Sequence, residues 1–326
     1  MESETIEDGR CLTTIKDELD SFIDHLRETR KVLDLQTIIL KEIVEFFDSK
    51  GFYQLMPVIL STVTDPVIAD PTSPLTPTSP LDVYGQKLRL TQSMILHKQA
   101  AMISGAKKIF IISPNVRIED VSKQYTGRHC FEFSQVDFEI AYAKREDVFD
   151  FMEEFIVSLF TKLNKDHSDL LAIHGRTLKI PKRPFKKYTA QELQEKYSGD
   201  WVIEASKASD EPFWLLDDVS EFYNKEDPNN PGHHFNYDLI YPEGFGEALS
   251  GGERETDYDV IVRKLSKKPE MLKQYEIFIE LAKRKLLVPS AGAGFGVERL
   301  IRFVTGKKHI KDVQFFPRIP GQKVFM

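Results

Sequence analysis

Cysteine is nearly absent: Cys11 and Cys130 are the two in 326 residues. They are far apart and lack metal-ligand spacing, which excludes a cysteine-based zinc site and fits a reducing compartment. Neither occupies the first position, where a cysteine nucleophile that releases ammonia from glutamine would have to stand, so both read as structural. Long apolar runs are missing too, and the start Met1-Glu-Ser-Glu-Thr-Ile-Glu-Asp8 has no signal-peptide character. A membrane-spanning or secreted protein is therefore set aside, and a cytosolic one expected. No basic tail or low-complexity arm is present, the formal net charge is −7, and no internal repeat is visible. Nothing in that balance invites a long nucleic acid, although a local basic groove stays open.

What is present is enough apolar residue, 41% of the chain, for one large core. The most informative stretch is Ala291-Gly-Ala-Gly-Phe-Gly-Val-Glu-Arg299, followed by Lys311-Asp-Val-Gln-Phe-Phe-Pro-Arg318. A glycine-rich strand end feeding a helix could let backbone N–H groups and Arg299 converge on a polyanion such as triphosphate. Glu298 beside it reads as a favourable charge at a helix start and not as a ligand. Residues 12 to 49 keep the helical period, and Phe52 to Leu60 follow as a strand interrupted by Pro57, which implies an edge or a bulge. Residues 62 to 80 hold five prolines and read either as an inert linker or as a substrate lid.

Lys108 to Ser113 and Cys130 to Tyr142 read as antiparallel arms around a charged loop with Arg117, Glu119 and Arg128. In the second arm a period of two puts Phe133, Gln135, Asp137 and Glu139 on one face and Ser134, Val136, Phe138 and Ile140 on the other. The second set suits a core; the first suits a solvated face or a binding site equally. A helix is expected over 146 to 164, and Lys182 to Lys187 read as a solvated basic loop. Asp238 and Glu247 fall on two strands joined by a glycine turn, where a carboxylate pair could hold Mg²⁺ with phosphate and water.

Together these pieces resemble the catalytic domain of class II aminoacyl-tRNA synthetases, of the aspartyl, asparaginyl and lysyl subgroup. Three motifs carry the resemblance in order: the helix and strand ending at Pro57; Val116-Arg-Ile-Glu119 with Arg128-His-Cys-Phe-Glu-Phe-Ser-Gln-Val-Asp137; and Gly294-Phe-Gly-Val-Glu-Arg299 with Phe316-Pro-Arg318. The resemblance implies an α+β fold, an antiparallel sheet flanked by helices, as one domain over 1–326 with residues 1–11 flexible and a homodimer formed through the first motif. For ATP it implies Arg117 on the α-phosphate, Glu119 on the adenine amino group, Phe133 stacked on adenine, and Arg128 and Arg299 on the terminal phosphates. Arg117 and Arg299 are the catalytic pair. Asp238 and Glu247 are the implied Mg²⁺ ligands. Gln92, Ser93, Lys98, Gln135, Asp137, Ser250 and Arg254 form the implied amino-acid pocket, with Gln135 and Asp137 near the α-ammonium and Lys98 and Arg254 near an acidic group.

The aspartyl and asparaginyl enzymes carry an N-terminal barrel that reads the anticodon, and this sequence starts at the first catalytic helix. That arrangement resembles the free-standing, ATP-dependent asparagine synthetases of archaea. The expectation is therefore a ligase that joins aspartate and ammonia to give asparagine, AMP and pyrophosphate through β-aspartyl adenylate, with tRNA not expected as a partner. The alternative is a stand-alone ligase that activates aspartate or asparagine for a tRNA or another acceptor. Met94-Ile95-Leu96 departs from the Pro-Gln-Leu usual in aspartyl-tRNA synthetases.

Overall fold

A computed structural model describes residues 12–65, 79–218, 220–267 and 269–325. Segment 1–11, with Cys11, and residues 66–78 of the proline-rich stretch lie outside the described residues. The strands are β1 (Tyr53–Leu55), β2 (Leu60–Ser61), β3 (Leu81–Val83), β4 (Gln86–Leu90), β5 (Lys108–Val116), β6 (Glu132–Ala141), β7 (Lys186–Thr189), β8 (Phe213–Leu216), β9 (Asn236–Tyr241), β10 (Gly246–Glu253) and β11 (Ser290–Gly296). The helices are α1 (Leu12–Ser49), α2 (Ile95–Ala101), α3 (Arg145–Asp166), α4 (Ser168–Ile173), α5 (Ala190–Lys196), α6 (Trp201–Ala208), α7 (Tyr258–Leu265), α8 (Pro269–Gln274), α9 (Glu276–Lys283) and α10 (Val297–Thr305).

Among the described residues, the main sheet runs β1-β5-β6-β11-β10-β9-β8-β7, and β2-β4-β3 form a small second sheet. The six central strands, β5 to β8 in that order, pair antiparallel. Parallel pairing is confined to the ends, β1 with β5 and β7 with β8. The fold is α+β with helices flanking the sheet, as the resemblance implied.

One face of the sheet is closed by α1, α3 and α10, whose apolar stripes meet Val136, Phe138 and Phe295 in a single core. Phe47 anchors the end of α1, with Phe52, Phe110, Phe138 and Phe151 ring centres 4.8–5.6 Å away. The alternation in β6 thus resolves as the sequence implied for Val136 and Phe138, both fully buried. The strand expected over 52 to 60 is two strands. Pro57 has no N–H to give a ladder, so the chain leaves the main sheet after Leu55 and joins the small sheet at Leu60. The basic cluster at 182 to 187 is not a free loop either: Lys186 and Lys187 open β7, and Arg183 pairs with Asp150.

Candidate functional site

The face of the sheet opposite α1, α3 and α10 carries the polar row of β6, and it is not a solvated face. Asp137 and Glu139 are 2% and 0% exposed. Their room comes from β11, where Gly292, Gly294 and Gly296 lie opposite Glu139, Asp137 and Gln135. A Cβ on Gly294 would come within 2.0 Å of Gln135 Nε2, and one on Gly292 within 2.4 Å of Glu139 Oε2. The alternate glycines therefore let neighbouring side chains lie flat across the sheet, a role distinct from the phosphate cradle that the sequence suggested.

Two adjoining cavities open on this face, of about 340 and about 90 Å³, and both are lined by Arg117, Gln135, Glu247, Ser250 and Gly294. The narrow one adds Glu119, Arg128, Phe133 and Arg299. The wide one adds Ser93, Lys98, Asp137, Asp238 and Arg254. The sequence-derived residues are thus brought together with one exception. Gln92 lines neither cavity; its backbone carbonyl accepts from Arg117 Nε at 3.0 Å and so fixes that arginine.

In the wide cavity Lys98 is already satisfied. Its Nζ donates to Asp137 Oδ1, Phe138 O and Ala293 O at 3.1, 3.1 and 3.2 Å. It contributes positive charge to the pocket and no spare donor, a departure from the expectation that it grips an acidic group directly. Arg254 spends Nε and Nη2 on Glu139, at 2.9 and 3.1 Å, and lines the cavity as well. Ser290 Oγ donates to the same carboxylate at 2.7 Å. Burial pushes the Glu139 carboxyl up, but Arg254 and Lys98 outweigh it and hold it below its ordinary range. Two cations thus face two carboxylates, and Asp137 Oδ2 is left buried without a partner. An orphaned carboxylate oxygen in a cavity wall is a place for a ligand N–H.

The narrow cavity collects cations. Arg299 Nη1 sits 3.1 Å from Glu247 Oε1, Arg128 Nη2 is 3.3 Å from Asp200, and the Arg117 guanidinium lies 5.1 Å over the Phe133 ring. Burial, with Arg299, Arg128, Lys123 and Arg117 around it, drives His129 down to about 2, so it is neutral. Burial, Arg299 and Arg128 lower Arg302 to about 10. Like charges held this close fit a bound polyanion.

Asp238 and Glu247 meet on β9 and β10, near a bulge between Glu247 and Leu249. Burial and the neighbouring Glu247 hold the Asp238 carboxyl well above its ordinary range. Burial acts on Glu247 in the same direction, but Arg299, Arg128 and Arg117 prevail and keep it low. Among the described residues no group of three or more metal-ligating side chains occurs. Two carboxylates that repel one another beside a cluster of arginines fit Mg²⁺, which takes few protein ligands and fills its shell with phosphate oxygens and water.

A family model for class II tRNA synthetases of the D, K and N group matches residues 21–320. The chain belongs to that family. The chain is 27% identical over 312 residues to the asparagine–tRNA ligase of Thermoplasma acidophilum, covering 90% of this chain and 70% of that one. It is 30% identical over 321 residues to the asparagine–tRNA ligase of Streptococcus pneumoniae serotype 4, covering 90% and 69%. The crystal structure of asparaginyl-tRNA synthetase from Pyrococcus horikoshii, complexed with asparaginyl-adenylate, superposes with a TM-score of 0.83 at 25% identity, over 99% of this chain and 76% of that one.

These relatives correct two expectations. The reading that set tRNA aside does not stand, because the relatives are tRNA ligases. Its physical flaw is that a net charge of −7 averages over the whole molecule, whereas charges act over about 10 Å in salt. The asparagine-synthetase reading is likewise not carried by them: they support an AMP-forming ligase of the tRNA synthetase kind.

Sequence reasoning also missed residues. Glu139 was placed on the right face and given no role. Asn115, whose Nδ2 donates to Gln135 Oε1 at 2.7 Å, showed no motif. Asp65, Asp218, Glu221 and Tyr223 reach the wide cavity from loops that carry no periodic signal. Among the described residues no helix is long and apolar enough to cross a membrane.

Proposed function

We propose that this chain is an ATP-dependent, AMP-forming ligase that activates aspartate or asparagine as the aminoacyl adenylate and passes the acyl group to a tRNA. The observation that carries the reading is the junction of the two cavities. A wide pocket walled by six carboxylates and three cations, with an orphaned carboxylate oxygen on Asp137, opens at Arg117 into an arginine-lined slot with an aromatic wall. An amino acid in the first and ATP in the second would meet at that arginine.

In this reading Asp137 Oδ2 and Gln135 receive the α-ammonium, and Arg254 meets the side-chain carbonyl or carboxylate. Phe133 carries the adenine and Glu119 its amino group, while Arg128 and Arg299 hold the β- and γ-phosphates. The amino acid's carboxylate oxygen attacks the α-phosphorus as the bond to pyrophosphate breaks, and pyrophosphate leaves. Arg117 neutralises the charge that grows on the phosphoryl oxygens, and Arg299 stabilises the departing group. Mg²⁺ held by Asp238 and Glu247 would add Lewis-acid charge at the phosphates. Ser93 and Ser250 shape the pocket around these groups, and the carbonyl of Gln92 holds Arg117 in place.

The test is aminoacylation of total tRNA with labelled aspartate and with labelled asparagine, ATP and Mg²⁺, beside an arm in which ammonium replaces tRNA. Charged tRNA with release of AMP supports the proposal. Free asparagine in the ammonium arm, with no charging, would replace it by the synthetase reading. A homodimer belongs to the same reading, because Tyr53, Met56 and Ile59, 67%, 86% and 54% exposed, lie on and just beyond the edge strand β1. Light scattering at twice the 37.6 kDa chain mass would support it, and the single-chain mass would refute it.

A further inference from the structure

Glu298 stands on α10 directly before Arg299. Both its carboxylate oxygens accept one backbone N–H, that of Ser134, at 2.9 and 3.0 Å. Ser134 directly follows Phe133 in β6, with its side chain on the helix-covered side of the sheet. The β6–β11 ladder ends at the pair Gln135 and Gly296, one residue short of Ser134, because β11 turns there into α10. At the point where the ladder stops, a side chain therefore takes the hydrogen bond that a strand carbonyl would have taken.

We propose that Glu298 is a positioning residue for the nucleotide: its carboxylate extends the β6–β11 ladder by one bond and holds the Phe133 ring and the Arg299 guanidinium in register on either side of the narrow cavity. This rests on the ATP reading of that cavity. Glu298 touches no substrate and acts through the backbone of β6 and through its own helix. A charge-assisted bond shared by two oxygens resists displacement better than a neutral one.

The surroundings make this contact sensitive to pH. Glu298 lines a cavity of about 360 Å³ between α1, β5, β6, α10 and the C-terminal segment. From β6 it faces Glu132, which Arg318 of the C-terminal segment pairs at 3.4 Å. Just before β6 lies Cys130, kept a neutral thiol by burial, and on its own helix lies Arg299. From α1 and β5 it faces the uncharged Gln36, Leu40 and Ile112. Burial pushes the Glu298 carboxyl up to about 7, with the Ser134 N–H, the N–H of Glu298 itself and the Ser134 hydroxyl acting against it and Glu132 adding to it. Protonation below that value removes the charge and one of the two acceptor oxygens, so the grip on Ser134 weakens as the pH falls.

The experiment is calorimetric titration of ATP, without amino acid or tRNA, into the parent chain, Glu298→Ala and Glu298→Gln at pH 8 and pH 6, with melting temperatures taken alongside. At pH 8 the alanine variant should bind ATP about tenfold more weakly and the glutamine variant, which keeps one acceptor, about threefold. From pH 8 to 6 the parent should lose more affinity than Glu298→Gln, since the nucleotide's own protonation is common to both. Alanine and glutamine variants that bind ATP within twofold of the parent at pH 8 would overturn the proposal, even if they melt lower, as would identical pH dependence in parent and Glu298→Gln. Should Glu298→Ala fail to fold, the glutamine comparison decides alone. A parent that binds no ATP at either pH would instead sink the ATP-site reading itself.

Discussion

Lys98 Nζ lies 3.1 Å from Asp137 Oδ1 and 3.5 Å from Glu139 Oε2, with all three side chains at most 2% exposed. Charges taken so far out of water are tolerated because each has an opposite partner, although Asp137 Oδ2 keeps no hydrogen bond. Removing one partner strands the others. Lys98→Met should lower unfolding stability by roughly 3–5 kcal/mol, measured by urea denaturation. The double variant Lys98→Met with Asp137→Leu should recover part of that loss, and a single variant as stable as the parent would show that the pair is not buried as described.

Gly294 makes a sharper test of the pocket itself. Its missing Cβ is the space occupied by Gln135 Nε2 and Asp137 Oδ1, at 2.0 and 2.8 Å from where that atom would sit. Gly294→Ala should push both side chains out of place and raise the KM for the amino acid at least tenfold, the scale at which a displaced contact group costs a hydrogen bond. Amino-acid-dependent exchange with an unchanged KM would show that Gln135 and Asp137 do not contact the substrate.

The fold and most of the site were legible in the sequence for identifiable reasons. Helical periodicity located α1 and α3, and alternation located β6, because both burial patterns repeat over many residues. The three ordered motifs contain Arg117, Phe133 and Arg299, and the resemblance they carry implies Asp238, so these residues were expected at one place. What alternation could not say was whether the polar face of β6 is wet; that depended on glycines in β11, a strand 150 residues away. The saturation of Lys98 by two backbone carbonyls was illegible for the same reason, since carbonyl positions carry no residue signature. Net charge misled most, because it discards the location of each arginine.

His129 gives a pH signature. Its folded pKa is depressed to about 2, so between that value and the ordinary histidine pKa near 6.5 the unfolded chain binds a proton that the folded chain refuses. Stability from this group is present above about 6.5 and declines as the pH falls, by at most about 1.4 kcal/mol per pH unit. Glu298, raised to about 7, acts in the opposite sense between its ordinary value and 7, so the comparison must be made against a variant and not against a flat baseline. Chemical denaturation of the parent and His129→Asn from pH 7 to 5 should show the parent losing relatively more stability. Parallel profiles would mean that His129 is not shielded from protons.

The central claim is that the joined cavities activate an amino acid on ATP, and amino-acid-dependent exchange of labelled pyrophosphate into ATP measures that step without any acceptor. With Mg²⁺ present, aspartate or asparagine should drive exchange, and omission of the amino acid should abolish it. No exchange with either amino acid, or nucleotide turnover that yields ADP in place of AMP, would contradict adenylate formation at this site.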